Sequence, residues 1–69
     1  MTDLKRLNAI IEASGLKKIF IAEKLGIDRA SLYNKLTGMT EFTAYEIVKL
    51  TEILRLTKSE RDDIFLTLR

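Results

Sequence analysis

The chain has no cysteine, no histidine and no proline, and the first two absences each close off a class of structure or chemistry. Without cysteine there is no disulfide and no thiolate–metal staple, and a reducing cytoplasm is the expected setting. Without histidine and cysteine, the commonest general base, nucleophiles and metal ligands are missing. The serines, Ser14, Ser31 and Ser59, sit in no strained Gly-x-Ser-x-Gly turn. Gly15, Gly26 and Gly38 lie too far apart to form a phosphate-cradling loop. Glu60 and Asp63 share the i, i+3 spacing of a solvated helix face rather than of a catalytic acid pair. No apolar run approaches the ~18 residues of a membrane helix, and the N-terminus carries no secretory apolar stretch. The expectation is a soluble cytoplasmic domain with no catalytic residue, no metal, no cofactor, no small-molecule ligand and no membrane partner.

What is present fits one small domain spanning residues 1–69. Sixty-nine residues, 46% hydrophobic and 32% charged, have the balance of a globular protein. A chain of this length buries only about 60% of the surface its unfolded form exposes, so its stability is modest. The net charge of +2 is unevenly spread. Residues 1–35 carry seven cations and four acids, a balance of +3, whereas residues 36–69 carry five cations and six acids, a balance of −1. No acid occurs in residues 29–40. Such asymmetry suits a polyanionic partner on one side of the molecule.

Every stretch shows helical periodicity, and none alternates as a strand would. Leu4, Leu7, Ile10, Ile11 and Ser14 recur at i, i+3, i+4 and i+7, with Gly15 placed to end that helix. A second short helix is expected over about residues 18–25, with Ile21, Ala22 and Leu25 facing inward. Asp28 is a good N-cap for a third, in which Leu32 and Leu36 face inward and which Gly38 ends. Thr43 and Glu46 form a capping box, with Ile47, Val48, Leu50, Thr51 and Leu54 as the buried stripe behind it. Thr57 and Glu60 form a second capping box, opening a last helix that carries Ile64, Phe65 and Leu68. The fold class is all-α, five short helices around one core.

The break between the second and third helices, Leu25-Gly26-Ile27-Asp28, carries the most information. A steep crossing through so short a connection needs one residue at positive φ, which Gly26 supplies without a Cβ penalty. Close approach near the turn needs a small residue, and Ala22 stands four positions before Gly26. Leu32, six positions after it, plugs the angle from the other side. This is the spacing of a helix-turn-helix, whose second helix docks in the DNA major groove. Over residues 4 to 57 the chain resembles the phage lambda-repressor/Cro (XRE-type) helix-turn-helix family. The resemblance rests on LNAIIEASGL, IAEKLGIDRASLYNKLTG and EFTAYEIVKLTEILRLT. It implies a lambda-repressor-like five-helix DNA-binding domain with its helix-turn-helix core at about residues 18–37. Two places depart from the family pattern. Lys17 and Lys18 stand where that family has Ser or Thr followed by Gln, and Ile19 and Phe20 occupy commonly polar positions.

With Leu32 and Leu36 inward, the outward arc of the recognition helix, about residues 29–37, carries the candidate readout residues. Arg29 sits in the first turn, where the helix dipole disfavours a cation. The placement makes sense if Arg29 grips guanine O6/N7 or a phosphate. Asn34 suits adenine N6/N7, Ala30 allows close approach beside a thymine methyl, and Tyr33 packs on a sugar or base edge. Lys18, Ser31, Lys35 and Thr37 are the candidate phosphate contacts, which position the helix without reading sequence. The expected function is a sequence-specific transcriptional regulator of phage or prokaryotic type, similar to Cro, acting as a homodimer on a palindromic double-stranded operator. Ile64, Phe65 and Leu68 are the candidate dimer contact, and Ile19 and Phe20 a second candidate surface. Two alternatives remain: the antitoxin of a toxin–antitoxin pair built on the same fold, and a helical protein–protein adaptor that does not bind DNA.

Overall fold

The structure, a computed structural model, describes residues 1–66. It contains five helices and, among the described residues, no strand: α1 (Leu4–Ser14), α2 (Lys18–Leu25), α3 (Arg29–Leu36), α4 (Ala44–Ile53) and α5 (Lys58–Phe65). None is long and apolar enough to cross a membrane. α2 packs against α3 and α4, α1 against α3 and α5, and α4 against α5. The core they enclose is built from Leu7 and Ile11 of α1, Ile21, Ala22 and Leu25 of α2, Leu32 and Leu36 of α3, Leu50 of α4, and Ile64 and Phe65 of α5. Phe42, in the α3–α4 loop, completes it by meeting Phe65 edge to face, with ring centroids 5.8 Å apart.

The helices start where the sequence expects them to. Asp3, Asp28, Thr43 and Thr57 each accept a hydrogen bond from the backbone N–H three residues on, satisfying an otherwise orphaned donor. Both capping boxes close reciprocally, with Glu46 and Glu60 accepting from the N–H of Thr43 and Thr57 at 2.8 Å. The Asp3 N–H also donates to the Ile64 carbonyl, which fastens the start of α1 to the end of α5.

Two expectations about which side chains fill the core are corrected. Val48 is 53% exposed and lies outside the buried stripe of α4. The α4 side chain that goes inside instead is the charged Glu46. Ser14 is exposed and serves the end of α1, donating from Oγ to the Ile11 carbonyl and accepting from the Leu16 N–H. Ile64 and Phe65 are buried in the core. A side chain filling the core cannot also form a seam between copies, so the dimer contact assigned to these two is withdrawn. Leu68 lies outside the described residues.

Candidate nucleic-acid interface

The angle between α2 and α3 is set by the connection between them. α2 closes with Gly26 at φ 74 and ψ 27, a left-handed conformation open to glycine at no steric cost. The Gly26 N–H donates to the Glu23 carbonyl and the Ile27 N–H to the Ala22 carbonyl, which satisfies two carbonyls at the end of α2. Asp28 then caps α3, accepting from the Ser31 N–H at 2.7 Å. That backbone bond, helped by the Ser31 side chain, holds the Asp28 carboxyl below its ordinary value. Ala22 and Leu32 are both buried, as a close crossing requires.

This geometry turns one arc of α3 outward beside the first turn of α2. The result is an open groove of about 650 Å³ lined by Lys18, Arg29, Ala30, Tyr33, Asn34 and Thr37, with Leu32, Leu36 and Asn8 completing its walls. Six of the eight expected DNA-facing residues are thus brought together around one concavity, and none of its lining residues is acidic. Arg29, Lys18 and Tyr33 are exposed, and the side chains of Arg29, Asn34 and Lys18 take no hydrogen-bond or ion-pair partner among the described residues. Their donors are open to a ligand. The Thr37 hydroxyl is committed differently. It donates to the Tyr33 carbonyl at 3.0 Å, or to that of Asn34 at 3.3 Å, so in this geometry it has no proton to give a phosphate.

Ser31 and Lys35 do not line the groove. Ser31 is half-buried and its backbone serves the Asp28 cap. Lys35 points to the other side of α3: its ammonium lies 3.0 Å from the Glu46 carboxylate and donates to the Glu41 carbonyl at 2.9 Å, over the Phe42 ring. Its side chain is only 12% exposed and that of Glu46 only 7%. Lys35 is therefore a tie between α3 and α4, and the phosphate contact expected of it is corrected. At Glu46, burial would raise the carboxyl, but the Thr43 N–H and the Lys35 ammonium outweigh it and hold the group below its ordinary value.

One positioning residue escapes a reading of the sequence. Asn8 of α1 donates from Nδ2 to the Leu4 carbonyl at 2.8 Å and to the Leu36 carbonyl at 3.2 Å. It thereby satisfies a carbonyl at the end of α3 and fixes the far end of the recognition helix to α1. Among the described residues, no group of three acid, His or Cys side chains could hold a metal ion. No protein-family model, no curated protein and no solved structure matches this chain.

Proposed function

We propose that the chain is a sequence-specific double-stranded DNA-binding module, a transcriptional regulator of phage or prokaryotic type that performs no catalysis and works in the cytoplasm. The observation that carries this is the convergence of Lys18, Arg29, Ala30, Tyr33, Asn34 and Thr37 on one acid-free groove beside a helix-turn-helix angle. A polyanion meets two unpaired cations there, Lys18 and Arg29, with no carboxylate to repel it. Arg29 and Asn34 supply the donor sets that suit guanine and adenine edges in the major groove. Tyr33 and Ala30 complete the contact surface, one for a sugar or base edge and one for close approach. Lys18 holds phosphate as a point charge and sets the register of the helix.

A single short helix offers too few contacts for the affinities of about 10⁻⁸ M or tighter that specific regulators reach, so two copies read half-sites roughly 34 Å apart. Selection of bound sites from a random duplex pool tests this directly. The expected product is a palindromic motif with half-sites one helical turn apart. A pool that shows no enrichment, or a motif with one unpaired half-site, contradicts the proposal.

A further inference from the structure

A second groove, of about 610 Å³, opens between α2 and α4 and shares no residue with the first. Its floor is apolar, formed by Leu16, Phe20, Ile53 and Leu54. Its rim carries the cations Lys24, Lys49 and Arg55 and one acid, Glu52. Phe20, on this floor, is 39% exposed. Lys24 is held over its ring at 5.4 Å, which keeps an ammonium at the edge of the apolar floor.

Arg55 supplies an independent observation. Four helices of this chain end on one residue at positive φ. α1, α2 and α3 use Gly15, Gly26 and Gly38, at φ 73, 74 and 90; α4 uses Arg55, at φ 54. The bonds that close α2 recur here, the Arg55 N–H donating to the Glu52 carbonyl and the Leu56 N–H to the Thr51 carbonyl. Glycine would make them without strain. A cation near a helix C-terminus gains from the dipole, but that gain is smaller than the cost of a left-handed β-carbon. Strain kept where a simpler residue would relieve it points to use of the side chain. That side chain stands on the rim of the groove.

We infer that the α2–α4 groove is a docking site for a short acidic amphipathic segment of a partner protein, with apolar side chains on the floor and carboxylates on Lys24, Lys49 and Arg55. Charge complementarity selects this occupant. A second copy meeting the groove face to face would bring the same excess of cations against itself. A nucleic-acid backbone would meet the cations but leave the Phe20 and Ile53 floor uncovered.

The test is a backbone-amide NMR titration with a helical peptide that carries Leu at i, i+3, i+4 and i+7 and Glu at the flanking positions. A second peptide with Gln at every Glu position is the control. The acidic peptide is expected to saturate and to move the amides of residues 16–24 and 49–55, leaving those of residues 29–37 in place. The Gln peptide, and the double variant Lys24→Glu/Lys49→Glu with the acidic peptide, should each bind roughly tenfold more weakly. Arg55→Gly should weaken the peptide while raising the melting temperature by roughly 2–5 °C, the relief of strain being partly offset by a freer unfolded chain. Equal binding of the two peptides, failure to saturate, shifts centred on α3, or a concentration-dependent dimer that covers the same amides would each overturn the inference. So would a lowered melting temperature for Arg55→Gly. Because the two grooves share no residue, failure of this inference at the α2–α4 groove leaves DNA binding by α3 standing.

Discussion

The two grooves that flank α2 are nearly equal in size, about 650 and 610 Å³. Each also carries the same charge excess: two cations and no acid in the first, three cations and one acid in the second, +2 in both. What separates them is the chemistry of their walls. The α2–α3 groove offers a guanidinium, an amide, a phenol and a methyl on one short helix held at both ends, by the Asp28 cap and by Asn8. The α2–α4 groove offers an apolar floor with the Lys24 ammonium laid over the Phe20 ring. Net charge alone predicts attraction to any polyanion, whereas donor geometry and apolar area decide which one.

The comparison depends on α3 being packed against α1 and α2 and tied to α4 through Lys35, and the largest expected effect comes from loosening that tie. Glu46→Ala leaves the mostly buried Lys35 ammonium without its carboxylate and opens the α4 capping box. Chemical denaturation should show a loss of about 2–4 kcal/mol. Lys35→Ala should also destabilise, yet with the fold kept intact at low temperature it should leave the salt dependence of DNA binding unchanged. A reduced salt slope for Lys35→Ala would restore that residue to the phosphate contacts.

A smaller effect is expected at the turn. A β-carbon on Gly26 would meet nothing within 4 Å, so the cost of Gly26→Ala comes from its φ alone and should be about 1–2 kcal/mol. Gly38 differs, since a β-carbon there would stand 3.2 Å from Leu4 Cδ1 at φ 90. Gly38→Ala should therefore cost more than Gly15→Ala, whose β-carbon also meets nothing within 4 Å. Equal melting temperatures for the Gly38 and Gly15 variants would contradict the packing of α1 against the α3–α4 loop.

The smallest expected effect is on acid stability. Asp28, Glu46 and Glu60 all have carboxyls lowered from their ordinary values in the folded state. A lowered folded value means a contribution that is fully present above the unfolded value and lost as the pH falls through the folded one. The melting temperature should be flat near neutrality and decline below about pH 4.5, where unfolded carboxylates begin to protonate. Asn at position 28 keeps a cap without a titrating charge, so Asp28→Asn should flatten part of the decline. A decline that starts near neutrality would require some other group.

Most of the architecture was legible because it rests on local rules. The caps at Asp28, Thr43 and Thr57 need only a side chain three residues from an N–H, and Gly26 declares its left-handed turn by being glycine. What was not legible depends on tertiary packing. Glu46 looks like an ordinary capping-box acid, and nothing in its neighbourhood shows that Lys35, eleven residues earlier, will meet it in a mostly buried pair. Periodicity gave α5 an apolar stripe without saying whether Ile64 and Phe65 face the core or a partner. Periodicity alone includes Val48 in the α4 stripe, yet Val48 lies just outside the arc that packs. Arg55 hides a left-handed helix end behind a residue that normally avoids one. In the candidate site, the outward arc of α3 followed from placing Leu32 and Leu36 inside. The departure of Lys35 and the arrival of Asn8 did not.

The central claim is that Arg29 and Asn34 read bases while Lys18 only holds phosphate. The measurement is the affinity of Arg29→Ala, Asn34→Ala and Lys18→Ala for a selected duplex and a scrambled one across a salt series. Arg29→Ala and Asn34→Ala should each cost about 1–3 kcal/mol on the selected duplex and far less on the scrambled one. Lys18→Ala should weaken both by similar factors and lower the salt slope by about one counterion. Equal losses on both duplexes for Arg29→Ala and Asn34→Ala would make α3 an electrostatic anchor and contradict base reading.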